Sequence, residues 1–405
     1  MRLVYKFDIK HNEKLYELCK VSKNLYNQAL YIVRHELKEN NKWLGYGQLN
    51  TILQDTFNLD GEINYRLLKA QVAQQCLRAL DKNIKSYVKS IKDFSKNPSK
   101  YKGRPKLPKY KKEANQLIYT NQCSTIKDGY IHLSKELKIR IPQYGKYGKE
   151  LVDFQQIRVA PKMDKTFTVE IVYLSERNTD TDLDYKQYAS IDLGVDNLAT
   201  MILYGEEPML FNGRQLKAKN QYFNKITSEL KSKLTNGQKT SKRIKRLYIK
   251  RDNQVTDMFH KLSRRIVNLL IEHKVGNLVV GYNKGWKDSI NIGKRNNQTF
   301  VGIPYAKLIY FLRYKCEMCG INLVVNEESY TSKCDALAME PIGKHEEYKG
   351  KRVKRGIFQS STGKLVNADV NGALNIMRKA VGDSECVTRI IDSGRLFRPV
   401  RINIL

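Results

Sequence analysis

One carboxylate sits where carboxylates are costly. The stretch Tyr188-Ala-Ser-Ile-Asp-Leu-Gly-Val-Asp-Asn-Leu-Ala-Thr200 runs apolar and small into Asp192, and Gly194 follows it closely. Leu193, Val195, Leu198 and Met201 carry the apolar content past that glycine, so the stretch reads as a buried strand, a turn and a returning strand. An acid inside a core strand has to be paired or has to hold a cation. Asp192 alone leaves the choice open, because a turn cap or an ion pair with one of the many Lys and Arg residues would also satisfy it.

A second acid narrows the choice. Far downstream comes Leu365-Val-Asn-Ala-Asp-Val-Asn-Gly-Ala-Leu-Asn-Ile-Met377. Ala373, Leu374, Ile376, Met377 and Ala380 give a short helical apolar face, with Asp369 and Asn371 at its start. Asp369 as a plain N-cap is the ordinary alternative. If the helix packs beside the Asp192 strand, the two acids repel, and a divalent cation relieves the repulsion. Mg²⁺ takes carboxylate oxygens and keeps waters for phosphate chemistry. Two such ions can hold the attacking and the leaving oxygen of a phosphodiester.

These two stretches resemble the first and third motifs of the split RuvC nuclease domain in the TnpB family of transposon-encoded, RNA-guided DNA nucleases, which are related to the type V CRISPR effectors. The resemblance extends to Tyr330-Thr-Ser-Lys-Cys334 and to Gly103-Arg-Pro-Lys-Leu-Pro-Lys-Tyr110, and covers most of the chain. It implies an α+β multidomain fold. A helical recognition bundle is inserted in a small β-barrel wedge domain, and an RNase H-like (RuvC) α/β nuclease domain follows. It implies cleavage of target DNA beside a short flanking motif by two Mg²⁺ ions. The implied partners are a guide RNA encoded near the transposon end and double-stranded target DNA, with the protein acting as a monomer.

The chain departs from the family pattern twice. The second RuvC motif usually supplies a Glu at the end of the strand Asn277-Leu-Val-Val-Gly-Tyr-Asn-Lys-Gly-Trp286, where this chain has Gly281. The next strand, Asn322-Leu-Val-Val-Asn-Glu-Glu-Ser-Tyr-Thr-Ser332, offers a replacement. Strand alternation points one of Glu327 and Glu328 at the site. Spacing to Thr331 favours Glu328, with Glu327 as the alternative. The expected ligands are therefore Asp192, Glu328 and Asp369, with Asn371 orienting Asp369 or metal-bound water. Relatives also carry two Cys-x-x-Cys pairs after the Thr-Ser element. Here Cys334 stands alone and the region 352–363 has Ser at ligand positions, so no structural zinc site is expected. Cys316 and Cys319 are three apart on a helix and are expected to face the core. Gly281 also keeps two rivals in view: a guided DNA-binding repressor without cleavage, and a guide-independent RuvC-like nuclease.

Composition supports a polyanionic partner. The 73 Lys+Arg against 41 Asp+Glu leave +32, more than solubility requires, and 25 Tyr suit stacking on bases. Scattered cysteines, the charged start Met1-Arg-Leu-Val-Tyr-Lys-Phe-Asp and the lack of an apolar run of about 18 residues point to a cytoplasmic protein without a membrane partner.

The domains expected are a wedge over 1–10 and 96–173, a helical lobe over 11–95, a polar linker over 174–187, a nuclease domain over 188–380 and a tail over 381–405. Residues 96–112 hold eight Lys/Arg and no acid, among Pro98, Gly103, Pro105 and Pro108. Either a flexible linker or an extended arm along phosphates fits this, and the resemblance favours the arm, with Lys100, Lys102, Arg104, Lys106 and Lys109 as contacts. Residues 214–251 hold thirteen Lys/Arg and one acid, Glu229. They read as a basic helical hairpin inserted in the nuclease domain, with Lys242, Arg243 and Arg246 as candidate contacts.

Overall fold

The computed structural model describes residues 1–151, 153–176, 181–235, 237–283 and 302–404. The chain divides into two compact units, Met1–Ser175 and Glu176–Leu405. Among the described residues no helix is long and apolar enough to cross a membrane.

In the first unit, strand β1 (Arg2–Ile9) leads into helices α1 (Glu13–Glu39), α2 (Tyr46–Leu53) and α3 (Ala70–Lys96). Asn12 caps α1 by accepting from the Leu15 amide at 3.0 Å. Leu15, Cys19, Leu25, Tyr26, Ala29, Leu30 and Val33 then recur at helical spacing on its buried face. The apolar pattern of α3 extends to Ile91 in the sequence, but its buried positions stop at Ile84, and the last turns stand clear of the core.

After the helices come strands β2 (Leu117–Thr120), β3 (Thr125–Lys127), β4 (Tyr130–His132) and β5 (Lys138–Arg140). Helix α4 (Tyr144–Leu151) and strands β6 (Phe154–Pro161) and β7 (Phe167–Leu174) complete the unit. The ladders build a four-stranded sheet, β1-β7-β6-β2, and a separate three-stranded sheet, β3-β4-β5. A barrel was expected here. The ladders instead leave two separate sheets, because the short β3–β5 meander pairs only within itself.

The basic segment before β2 is strapped along α1. The Arg34 guanidinium donates to the Pro108 carbonyl at 2.6 Å and lies over the Tyr110 ring. Asn27 exchanges two hydrogen bonds with the Lys111 backbone, and Ser22 donates to the Gln116 carbonyl. Backbone and aromatic groups face the helix, which leaves the side chains of Lys102, Arg104, Lys106 and Lys109 exposed.

In the second unit, β8 (Asp184–Asp192), β9 (Asn197–Leu203) and β10 (Met209–Asn212) form an antiparallel meander. Helices α5 (Arg214–Ser232) and α6 (Lys242–Glu272) follow as a hairpin. Strand β11 (Val275–Gly281) then runs parallel to β8, and after α7 (Tyr305–Met318) strand β12 (Asn322–Asn326) runs parallel to β11. The sheet order is β12-β11-β8-β9-β10-β16, where β16 is Val400–Ile402. Strands β9 and β11 are buried along their whole length, as strands covered on both faces must be. Ile191, Leu278 and Val280 share one core with α6 and α7, including Cys316 and Cys319. Ile202 and Leu210 share another with helix α8 (Ala368–Val381).

Between β12 and α8 lies a three-stranded sheet of β13 (Lys351–Lys354), β14 (Ile357–Gln359) and β15 (Leu365–Asn367). Two boundaries differ from expectation. Strand β8 begins at Asp184, inside the predicted linker, because Tyr185 and Gln187 carbonyls accept from Asn277 of β11. The predicted tail is docked structure: helix α9 (Glu385–Asp392) buries Val387 and Ile390, and β16 adds a parallel edge to β10. The predicted turn residues Lys284 to Trp286 lie outside the described residues.

Candidate active site

Asp192 ends β8 at the C-terminal edge of the parallel strands, in register with Thr200 of β9. Its carboxyl is pushed well above the usual carboxylate range, first by burial and then by the charges of Asp369 and Glu328; Arg352 on β13 opposes this without outweighing it. The acids from β8, α8 and the segment after β12 therefore act on one another across one end of the sheet.

Helix α8 is drawn tightly against β8. Ser190 donates to the Ala373 carbonyl at 2.6 Å, which fixes the helix backbone against the strand. A Cβ on Gly372 would stand 2.8 Å from Asp192 Oδ2, so only glycine lets the helix approach the acid this closely. The N-cap of α8 is Asn367, whose side chain accepts from the Asp369 and Val370 amides. Asp369 is thereby released from capping and sits in the first turn, where the helix dipole favours an anion. Asn197, only 8% exposed, donates from Nδ2 to Asp369 Oδ2 at 2.8 Å. Its Oδ1 is buried without a hydrogen-bond partner among the described residues.

Glu327 and Glu328 part company. Glu327 is exposed and pairs with Lys379 at 3.1 Å. Glu328 turns inward: its Oε2 is buried without a hydrogen-bond partner among the described residues, and it lies 2.9 Å from where a Cβ on Gly281 would be. That Cβ would also clash with Ile376 Cδ1, so no side chain fits at position 281 while Glu328 and Ile376 fill the space above it. Burial, and then the charge of Glu327, push the Glu328 carboxyl up to about 7.

The loop that presents Glu328 is held by α8. Asn371 and Asn375, four apart and so on one helix face, both donate to the Cys334 carbonyl, and Asn375 also donates to the Thr331 carbonyl. Asn371 further accepts from the Ala336 amide at 3.0 Å. Asn371, expected beside Asp369, instead spends both ends of its amide on this loop, and Asn197 takes the role beside the acid. Nothing in the sequence marks Asn197 for it, since an Asn at a strand start reads as a turn residue. Tyr305 was also missed: it is buried beneath the site, donates to the Gly194 carbonyl at 2.7 Å, and is held neutral by burial and by Asp192 and Glu328.

Among the described residues no three His, Cys, Asp or Glu side chains are gathered closely enough to hold a metal ion as they stand. The donor chemistry nonetheless suits a hard cation: Asp192 feels the negative charges of both Asp369 and Glu328, and among the described residues a buried Glu328 oxygen has no donor.

In the segment after Cys334, Asp335 is the centre of a buried hydrogen-bond cluster. It is 0% exposed and accepts from Ser360 Oγ, Ser361 Oγ and the amides of Ser361 and Ala338. Of the basic candidates, Lys100 is paired with Asp93 at 2.8 Å, while Lys242, Arg243 and Arg246 are exposed on the first turns of α6.

Comparison with known proteins finds two family matches, the probable transposase OrfB_IS605 over residues 170–287 and the Cas12f1-like TNB domain over residues 305–376. The chain is 26% identical to the TnpB-like protein ORF457 of Acidianus two-tailed virus over 48% of this chain and 42% of that protein. It is 23% identical to the CRISPR-associated endodeoxyribonuclease Cas12f2 of Micrarchaeota archaeon (strain CG1_02_47_40) over 54% of this chain and 41% of that one. Each match thus spans less than half of the relative's length. The fold is similar to that of the protein in a Cas12f1-sgRNA-target DNA complex, with a TM-score of 0.53 at 16% identity, covering 90% of this chain and 82% of that one.

Proposed function

We propose that this chain, a relative of the TnpB-like transposon proteins and the Cas12f effectors, is an RNA-guided DNA endonuclease with its active site at Asp192, Asp369 and Glu328. The observation that carries the reading is Glu328, whose buried carboxyl occupies the space over Gly281 at the end of the strand beside Asp192. The strand order β12-β11-β8-β9-β10, with the first three parallel and the last three antiparallel, supports an RNase H-like sheet.

Asp192, Asp369 and Glu328 would hold Mg²⁺, two ions in the full site. When bound, the metal supplies Lewis-acid polarisation of the phosphate and an activated water. Asn197 fixes the Asp369 carboxylate, and Tyr305 stays a neutral donor beneath the acids. Arg352, exposed on β13 and close enough to act on Asp192, meets the scissile phosphate. A guide RNA encoded near a transposon end pairs with the target strand, while the protein reads a short flanking motif and grips backbone phosphates. The chain acts as a monomer.

A binding-only reading has its own support in the acids not yet gathered as ligands. One experiment separates the two. The protein is purified with its retained RNA and offered plasmids carrying the matched target and randomised flanks, with Mg²⁺. Wild type and Glu327→Gln are expected to cut, and Asp192→Ala and Glu328→Gln to lose about a hundredfold or more in rate, the loss of several kcal/mol of metal-borne stabilisation. RNA-dependent target binding without cutting by wild type would select the binding-only reading.

A further inference from the structure

The six-stranded sheet has two ends, and only one carries the acids. Asp192 and Gly281 close the C-terminal ends of β8 and β11, and Glu328 follows the end of β12. At the opposite end, α6 finishes just before β11 begins and α7 finishes just before β12 begins. Between these two helices lies a groove of about 790 Å³ whose lining includes His260, Arg264, Arg265, Tyr314, Lys315 and Glu272.

Its notable member is Lys315. The residue is 3% exposed, and its Nζ donates to the His260 carbonyl and to Ser263 Oγ, both at 2.7 Å. Among the described residues no carboxylate pairs with it. A buried ammonium with two neutral acceptors is under-compensated. Burial, and then the Arg264 cation, pull it down to about 8, so it still carries its proton at neutral pH.

The cations above it repeat the pattern. Arg264 and Arg265 are exposed and in no ion pair among the described residues; Arg265 spends one donor on the Asn403 carbonyl at 3.2 Å. Two rings line the same groove, His260 and Tyr314, and Tyr314 reaches His260. Outside the lining, Phe311 stacks on His260 at 4.0 Å, and Tyr310, one turn before Tyr314, is 62% exposed. Cations in a row beside exposed rings suit a phosphodiester chain with unstacked bases.

We propose that this groove binds the phosphate backbone of an RNA strand, with Arg264 and Arg265 on successive phosphates and Lys315 supplying positive charge from the floor. The commitment to RNA rests on the reading of the previous subsection. A strand held at this end of the sheet is not presented to the acids, and the polynucleotide retained uncut is the guide.

The test uses the full chain and a fluorescein-labelled poly(U) strand, followed by anisotropy across a salt series. Arg264→Ala/Arg265→Ala, at exposed helix positions, is expected to weaken binding about tenfold at low salt and to make the salt slope shallower by about 1.4, two contacts at ~0.7 each. Lys315→Met is expected to weaken binding about threefold with no loss of Tm, since it removes an unpaired buried charge. Unchanged affinity and slope in the double variant, or a loss confined to poly(dU), overturns the proposal. If such a double variant accompanies a wild type that binds RNA and cuts, the groove alone falls. If the wild type binds no RNA, the guided-nuclease reading falls with it.

Discussion

Asn197 reaches Asp369 across 172 residues of sequence, and that one hydrogen bond sets where an acid points. Its loss in Asn197→Ala is expected to cost about 1.5 kcal/mol in urea unfolding. That is the low end for a bond to a charged group, because the substitution also removes an unpartnered buried oxygen. Glu328 gives a signature in pH. Its carboxyl rises from 4.5 to about 7 on folding, so the folded state binds the proton more tightly than the unfolded chain. Its contribution to stability is complete below pH 4.5 and is lost as pH rises through about 7. Without divalent ions, the Tm of wild type should therefore fall more steeply over that window than the Tm of Glu328→Gln; parallel curves would count against the inward Glu328. Asp192 stood out in the sequence because it lies inside an apolar run, and Asp369 because it opens a helical apolar face. For Glu327 and Glu328 the sequence carried only a preference, Glu328 by its spacing to Thr331, since adjacent residues differ only in the side of the chain they face.

At the scale of elements, the segment between β12 and α8 folds a sheet of three short strands beside a buried carboxyl. Asp335 gathers two serine hydroxyls and two amides in a fully buried position, and Glu340 accepts from the Asp335 and Lys349 amides beside it. Asp335→Ala leaves the buried Ser360 hydroxyl and two part-buried amides without their acceptor and is expected to cost about 3 kcal/mol. With Mg²⁺ held in excess, a zinc-selective chelator should leave the Tm of wild type unchanged, and a fall would point to a zinc ion in this segment. The serines were legible as missing ligands. Their acceptor was not, because Asp335 follows Cys334 in sequence and reads there as one more loop acid. The predicted tail failed for a related reason. Val387 and Ile390 are too few to show a period, and only the α8 face they cover makes a helix of them.

For the whole molecule, the +32 charge becomes a question of where cations stand free of partners. Lys106 and Lys109 ride on a segment whose backbone is fastened to α1 through Arg34, Asn27 and Ser22. Lys106→Ala/Lys109→Ala should therefore leave Tm unchanged while reducing the salt slope of single-strand binding by about 1.4; a fall in Tm with no change in slope would make the segment structural only. The amino-acid sequence by itself determined the alternation of strands and helices, the basic surface and the acids that interrupt apolar runs, because periodicity and charge are local properties of a chain. Tertiary structure alone decided which asparagine holds Asp369, that a Glu328 oxygen lies over Gly281, and that Lys315 is buried with no carboxylate paired to it among the described residues. Each of these depends on which distant segments share a boundary, and no local pattern encodes that.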